Sequence, residues 1–405
     1  MKSMLKKSIM IFIAACSLTV KGQMTVHLVL PSTTDAAITQ YTDASTFEYH
    51  VCAVNLSVTP RNLLFVFLPG TGGMPLAYKR IDSTAANLGY HVIGLMYPNS
   101  PSIGSLCDAN SDTTCFDNTR REIIDGIDRS TLVTVDTTNC IINRLEKILR
   151  YLKQHYPGEN WAQYLDVNNN ILWDKIVISG HSQGGGHAGI IAKYYHVNRV
   201  VYFASPKDFN RYYNRQAAWY GSNNATPSSV YYGFSHSSDS TGNTPIEQIA
   251  CYNLFGMGVY GPVVNVDTSA SPYNNSHILT SSLATTNAHG CVVVDNAVGL
   301  NNGVPVYKPV WIYMLTDVVS TNIHEIPNCY SLLKIYPNPA TNEIMVETFQ
   351  KSEIEIINIE GQIIKTFSNV EKVTPIDLTN LSGGVYLIKA KSVNGVAIGR
   401  FIKEE

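Results

Sequence analysis

The sequence has little charge and almost no excess of either sign. Only 15% of its 405 residues are charged, and 29 basic against 31 acidic residues leave a net charge of −2. A field that weak does not attract nucleic acid or an anionic membrane. The 24 tyrosines, 12 phenylalanines and 4 tryptophans exclude a disordered chain, which needs more charge and fewer aromatic residues. The composition indicates a globular protein, and its length allows two or three domains.

Long apolar runs are missing, with one exception near the start of the sequence. The segment from Ile9 to Val20 is mostly apolar, follows three lysines, and is far shorter than the roughly 20 residues of a membrane-spanning helix. This pattern is typical of a secretory signal peptide over residues 1–22, cleaved before Gln23. In a second interpretation Ile13-Ala14-Ala15-Cys16 is similar to a lipobox, which would make Cys16 a lipid-modified N-terminus. Both interpretations predict an exported protein, and neither predicts a transmembrane helix.

Cysteine pairs of the CxxC type do not occur, which argues against a closed structural zinc site. Cys16 is one of eight cysteines, so seven remain in the exported part, where an oxidising compartment favours disulfides. Cys107 and Cys115 bracket a polar loop and are the expected local pair. The odd number leaves at least one thiol free.

No cluster of His, Asp or Glu in the sequence suggests a catalytic metal, so neither a metal nor a cofactor is expected. Asp166-Val167-Asn168-Asn169-Asn170 is similar to the start of a calcium-binding loop. Ile171 stands where that loop needs glycine, and no glutamate closes it at the twelfth position. The segment is predicted to be a polar turn before a strand.

Short apolar runs alternate with amphipathic stretches between about residues 25 and 325. Runs bounded by Gly or Pro suit strands that are buried on both faces of a parallel sheet. The clearest helical pattern covers Ile141 to Leu152 and ends before Pro157. The alternation predicts a doubly wound α/β domain over residues 24–325, with a mostly parallel sheet. The predicted strands are Leu63 to Leu68, His91 to Met96, Lys175 to Ser179, Arg199 to Ala204, Val230 to Phe234 and Pro262 to Val266.

The strongest chemical signal is the run Gly180-His181-Ser182-Gln183-Gly184, which has the GxSxG pattern. The pattern alone arises by chance, but here a predicted strand precedes it and a helix-like stretch follows it. A sharp strand-to-helix turn forces the serine into strained dihedral angles, and side chains in place of the glycines would collide with the backbone. The arrangement resembles the α/β-hydrolase family over most of residues 25–325. The resemblance implies that Ser182 is a catalytic nucleophile.

The same resemblance implies an oxyanion hole built from two backbone amides. One is the amide after the nucleophile, that of Gln183. The other comes from a loop after an early strand, where Leu68-Pro69-Gly70-Thr71-Gly72-Gly73 lies. Thr71 and Gly72 are both candidates for the second donor. The alternative is a glycine-rich turn without a catalytic role.

The acid and the base should follow the serine in the order Ser, Asp or Glu, His. Asp239 comes just after the predicted strand Val230 to Phe234, where the family carries its acid, and is the favoured candidate. Asp208, in the loop after the preceding strand, is the alternative acid, since some relatives carry it there. Either residue could also be an ordinary aspartate in a surface turn.

Two histidines are candidates for the base. His277 ends the loop Pro272-Tyr273-Asn274-Asn275-Ser276-His277, which resembles the base-bearing loop of cutinase-like and polyester-hydrolase-like members, and it is preferred. His289, flanked by Ala288 and Gly290, is the alternative. His181, His187 and His236 are expected to be buried histidines with structural roles.

The sequence changes character near residue 332. Short strands separated by turn residues predict a small all-β sandwich over residues 333–405, after a linker of residues 326–332. The segments KIYPNPATNEIMVE, GGVYLIKA and GRFIKE together resemble the C-terminal sorting domain of the Bacteroidetes type IX secretion system. The resemblance implies contact with that machinery, passage through the outer membrane, and release or attachment at the cell surface. A carbohydrate-binding or adhesive β-module is the alternative.

These features predict a secreted serine hydrolase that cleaves carboxylic esters with Ser182, Asp239 and a histidine. A serine peptidase or an acyltransferase would use the same residues. A function of another class is a non-catalytic surface binding or adhesion protein on a hydrolase scaffold, with tyrosines such as Tyr212 and Tyr213 forming an aromatic face. The expected partners are an ester substrate and the secretion machinery, and nucleic acid is not among them.

Overall fold

The computed structural model describes residues 24–40, 48–221, 224–316, 333–358, 362–392 and 395–404. The chain divides into two compact units, Met1–Asp317 and Val318–Glu405. The predicted signal peptide, Cys16, Cys329 and the predicted linker all lie outside the described residues.

A mixed nine-stranded sheet forms the centre of the first unit, in the order β1-β2-β4-β3-β5-β6-β9-β11-β10. β1, β2 and β4 pair antiparallel, and every later neighbour pairs parallel. The predicted α/β class with a mostly parallel sheet is therefore confirmed. The strands of this unit, including two short separate pairs (β7 with β8, β12 with β13), are β1 Thr25–Val29, β2 His50–Val54, β3 Leu64–Leu68, β4 His91–Gly94, β5 Ile176–His181, β6 Arg199–Phe203, β7 Phe209–Asn210, β8 Arg215–Gln216, β9 Tyr231–His236, β10 Val264–Asn265, β11 Ile278–Ser281, β12 Leu300–Asn301 and β13 Val304–Pro305.

Helices cover the sheet, and every residue of β3, β5, β6 and β9 is buried, as expected for strands covered on both faces. The helices are α1 Pro31–Thr34, α2 Lys79–Asn87, α3 Ile103–Cys107, α4 Cys115–Asp125, α5 Ile141–His155, α6 Gln183–Tyr194, α7 Pro245–Leu254 and α8 Lys308–Leu315. Short 3₁₀ turns cover Pro75–Tyr78, Pro157–Glu159, Trp161–Tyr164, Trp173–Lys175, Ser228–Val230, Met257–Tyr260 and Tyr273–Asn275. None of the helices in the described ranges is long and apolar enough to cross a lipid bilayer.

Helix α5 shows how an apolar stripe determines packing. Its buried side chains recur three and four residues apart and include Leu145, Ile148, Leu149 and Leu152. This stripe packs against the main core, together with α4, which lies between α5 and α6. The helix ends at His155 because Pro157 cannot continue it.

The predicted disulfide between Cys107 and Cys115 is present and joins the end of α3 to the start of α4. Cys52, Cys140, Cys251 and Cys291 are buried free thiols. The disulfide and the packing of α4 against α6 fix this segment to the sheet domain.

The second unit is a single antiparallel sheet, curled into a near-barrel, where the sequence predicts a sandwich. Its long strand β15 pairs with β14, β16 and β17, and β17 pairs with β18. Alternate residues such as Ile344, Val346, Ile354 and Ile356 form its core. The strands are β14 Leu333–Tyr336, β15 Glu343–Ile357, β16 Ile363–Asp377, β17 Gly384–Ser392 and β18 Gly395–Lys403.

Candidate active site

Ser182 occupies the sharp turn between β5 and α6, with φ 53° and ψ −118°. L-residues rarely adopt these angles, so the surrounding structure must hold them in place. The two motif glycines allow this because their backbones pack closely. A Cβ atom on Gly180 would lie 2.3 Å from the backbone carbon of Gly184, and one on Gly184 would lie 2.0 Å from the carbonyl oxygen of Leu68. The serine is thus placed beside the end of β3.

The loop after β3 brings a free backbone amide close to the start of α6. The hydroxyl of Thr71 donates to Oε1 of Gln183 over 2.9 Å, so loop and helix are in contact. The amide of Gly72 donates to the carbonyl of Asn99 at 3.4 Å. Within the described ranges the amides of Thr71 and Gln183 donate no hydrogen bond. Of the two loop candidates, Thr71 therefore has the amide available for an oxyanion.

Asp239 and His289 form a hydrogen-bonded pair beyond the carboxyl ends of β9 and β11. Nδ1 of His289 lies 2.9 Å from Oδ2 of Asp239, and the amide of Thr241 donates to Oδ1 over 3.0 Å. Nζ of Lys207 lies 2.7 Å from the same Oδ2. Although burial opposes the charge, His289 and Lys207 hold the pKa of Asp239 well below its usual range. The carboxylate is ionised at neutral pH and leaves Nε2 of His289 as the nitrogen that can exchange a proton.

His181 links the serine turn to the histidine loop. Its Nε2 lies 3.0 Å from the carbonyl oxygen of His289, which can only accept, so Nε2 carries the hydrogen. Nδ1 then accepts from the hydroxyl of Tyr78 over 3.1 Å, and Tyr78 in turn accepts from the amide of Gly70. Burial lowers the pKa of His181 to about 3, so the ring stays neutral in this chain.

The ring of His289 lies 4.7 Å from that of His181, the residue before Ser182. Ser182 Oγ makes no hydrogen bond to any described residue. In sites without bound substrate, catalytic hydrogen bonds are often long and tighten only in the complex.

The structure does not bring His277, the preferred base, together with Asp239. Its ring is stacked between Tyr232, at 4.1 Å, and Tyr260, at 4.4 Å. Burial lowers its pKa to about 4. His277 directly precedes β11, a strand absent from the sequence-based prediction, so it lies at the amino end of a parallel strand. Ser182 and Asp239 follow the carboxyl ends of their strands, at the opposite edge of the sheet.

Asp208, the alternative acid, forms an ion pair with Arg120. Nε and Nη2 of Arg120 approach its two carboxylate oxygens at 2.7 and 2.5 Å, and Nε1 of Trp219 donates to Oδ2 over 2.8 Å. Nη1 of the same arginine donates to the carbonyl of Gln183 over 2.9 Å. Asp208 therefore fixes the start of α6 through Arg120.

Sequence reasoning missed Arg120 and Lys207. Lys207 follows the carboxyl end of β6, and that position alone could have marked it as a candidate. Arg120 lies in the middle of α4, and its partners are 63 and 88 residues away along the chain. No local pattern indicates such a contact.

A pocket of about 80 Å³ opens beside the serine. Its lining is mostly polar and includes Ser182, Gln183, Lys207, Asp208, Asp108 and Thr241. Burial and the nearby charge of Asp208 raise the pKa of Asp108 to about 6, with Glu247 acting in the same direction and Arg211 and Arg120 against it.

Replacing Asp108 by asparagine should stabilise the protein above pH 6. Below about pH 3 the carboxyl is protonated in the folded and the unfolded chain, so the substitution has no electrostatic effect there. Between pH 4 and 6 the unfolded chain ionises first, and the wild type loses stability that the variant keeps. At pH 7.5 we expect a gain of about 1 kcal/mol in the free energy of unfolding, discounted because Asp108 is half-buried. Urea unfolding at pH 3 and 7.5 measures it, and an equal difference at both pH values would contradict the ionisation argument.

In the part of the chain that the structure describes, no three His, Cys, Asp or Glu side chains are placed to hold a metal ion. Asp166 of the calcium-loop-like segment instead accepts hydrogen bonds from the amides of Asn168 and Asn170, each over 2.8 Å. These bonds close a polar turn.

Comparison with known proteins identifies the second unit. Residues 334–404 match the family of secretion system C-terminal sorting domains. Solved structures that match include PorZ, an essential surface component of the type IX secretion system of Porphyromonas gingivalis, with 13% identity, a TM-score of 0.17, and coverage of 19% of this chain and 12% of that one. No curated protein matches the chain significantly. The C-terminal unit is a type IX secretion sorting domain, and the protein is exported for secretion or attachment at the outer cell surface.

Proposed function

We propose that the first unit is a serine hydrolase that cleaves carboxylic esters. The observation that carries the proposal is the Asp239–His289 hydrogen bond beside a serine held in a strained turn. Ser182, Asp239 and His289 also follow one another in the chain order that α/β-hydrolases use, and β5, the turn and α6 form the strand–turn–helix context of their nucleophile. We extend the sequence resemblance to that family on these grounds.

The reaction has two halves, acylation of Ser182 and hydrolysis of the acyl-enzyme. In each half His289 first accepts a proton and then donates it. Ser182 Oγ attacks the ester carbonyl while Nε2 of His289 takes the hydroxyl proton, and Asp239 stabilises the imidazolium that results. The amides of Thr71 and Gln183 donate to the tetrahedral oxyanion. Its collapse expels the alcohol, which receives the proton from His289. Water then attacks the acyl-enzyme by the same route, and the acid leaves with Ser182 restored.

Labelling with a fluorophosphonate tests the proposal. The folded, full-length protein should form a covalent adduct that maps to the peptide containing Ser182, while Ser182→Ala and heat-denatured wild type should remain unlabelled. Labelled protein should also hydrolyse no p-nitrophenyl acetate. A folded wild type that stays unlabelled would contradict the proposal and favour the non-catalytic binding protein.

A further inference from the structure

The charged groups around the pocket beside Ser182 are paired with one another, with one exception. Arg120 is held by Asp208 through two hydrogen bonds, and Lys207 is held by Asp239. Arg211, whose backbone amide donates to the carbonyl of Asp108, pairs with Glu247 at 2.7 Å. These three cations are already neutralised by other carboxylates.

Asp108 is the remaining charged group in the pocket wall. Its carboxylate forms no hydrogen bond and no ion pair within the described part of the chain. Its backbone is nevertheless fixed on both sides. Asp108 follows Cys107 of the disulfide, and its carbonyl accepts the amides of Arg211 and Tyr212 at 2.5 and 3.3 Å. A carboxylate held rigidly beside a nucleophile, without a partner of its own, is ready to accept a hydrogen bond from a ligand.

We propose that Asp108 recognises a hydrogen-bond donor, a hydroxyl or an ammonium group, carried by the substrate close to its ester carbonyl. This inference rests on the proposed function and names its substrate class: short esters of hydroxy or amino compounds. A pocket of about 80 Å³ holds a group of only a few non-hydrogen atoms. A hydrocarbon chain in its place would remove water from the carboxylate without replacing the lost hydrogen bonds, which is unfavourable. The pocket therefore discriminates against a long hydrocarbon chain on whichever side of the ester enters it.

Matched esters that differ in one polar group test this proposal. Methyl acetate, methyl glycolate and methyl glycinate vary the acyl side, while ethyl acetate and 2-hydroxyethyl acetate vary the alcohol side. Hydrolysis by the full-length wild type and by Asp108→Asn is followed in a pH-stat at pH 7.5. The ratio of kcat/KM between substituted and plain ester should fall by about 10- to 100-fold in the variant, since a hydrogen bond to a charged group is lost. The ester whose ratio falls shows whether Asp108 recognises a hydroxyl or an ammonium group, and whether that group lies on the acyl or the alcohol side of the ester.

Asp112→Asn is the matched control, because Asp112 lies on the same disulfide-closed loop, is exposed, and does not line the pocket. Its ratios should equal those of the wild type. Asp108→Asn is labelled with the fluorophosphonate in parallel, which reports whether the nucleophile is intact. Ratios that are equal in wild type and Asp108→Asn, with both proteins labelled, overturn the inference and leave the serine hydrolase standing. Absence of labelling in the wild type overturns both.

Discussion

Replacing His289 by alanine should lower kcat/KM for a short ester by on the order of 10⁴- to 10⁶-fold, because the proposed mechanism then has no group to take the proton of Ser182. The pairing of Nδ1 with Asp239 at 2.9 Å leaves Nε2 for this transfer. The rate of fluorophosphonate labelling should fall with it. Hydrolysis of p-nitrophenyl acetate, measured with the wild type and the variant at pH 7.5, gives the ratio.

His277→Ala is the matched control for this experiment. His277 is stacked between Tyr232 and Tyr260 and has no contact with Asp239, so its loss should leave kcat/KM within about 10-fold of the wild type. It should instead lower the melting temperature, since a buried ring leaves a cavity. A result in which His277→Ala abolishes turnover and His289→Ala does not would refute the assignment of the base.

The difference between the two histidines shows which part of the site could be predicted from the sequence. The turn at Ser182 could be predicted because Gly180, Ser182 and Gly184 lie within five consecutive residues, directly between a predicted strand and a helix-like stretch. The pairing of Asp239 with His289 could not be predicted in the same way, because the positions of both candidate histidines depend on β11. That strand has four residues, of which only two are apolar, so its sequence pattern predicts a loop rather than a strand. Missing it assigns His277 to the wrong edge of the sheet.

More of the fold than of the candidate site could be predicted from the sequence. Near-continuous apolar runs located β3, β4, β5, β6 and β9 within a few residues, since strands buried on both faces need such runs. β1 is harder to predict because it lies at the edge of the sheet and alternates between half-buried and exposed residues before its buried last residue, Val29. Contacts between distant segments, such as that of Arg120 with Asp208, leave no periodic pattern in the sequence and cannot be predicted from it.

Replacing each of the two candidate acids by asparagine should have different effects on turnover and on stability. Asp239→Asn should lower kcat/KM by about 10⁴-fold, because an amide can present its NH₂ to Nδ1 and hold His289 in the wrong tautomer. Ester hydrolysis at 25 °C measures this effect in protein whose folding is verified by circular dichroism. Some stability is lost as well, since Lys207 loses its charged partner, but lost stability alone does not lower turnover in the folded fraction.

Asp208→Asn should lower the stability of the protein strongly and its turnover little, the reverse of the result for Asp239→Asn. Arg120 and Asp208 are both buried, and removing one charge of such a pair costs about 3–5 kcal/mol of unfolding free energy. Turnover at a temperature well below the melting point should change by less than about 10-fold, because Asp208 contacts neither His289 nor Ser182 and acts on the start of α6 through Arg120. Were Asp208→Asn to lose turnover by 10⁴-fold while its melting temperature stayed unchanged, the acid would be Asp208. The two substitutions are chemically identical, so any difference between them reports the environment of each carboxylate.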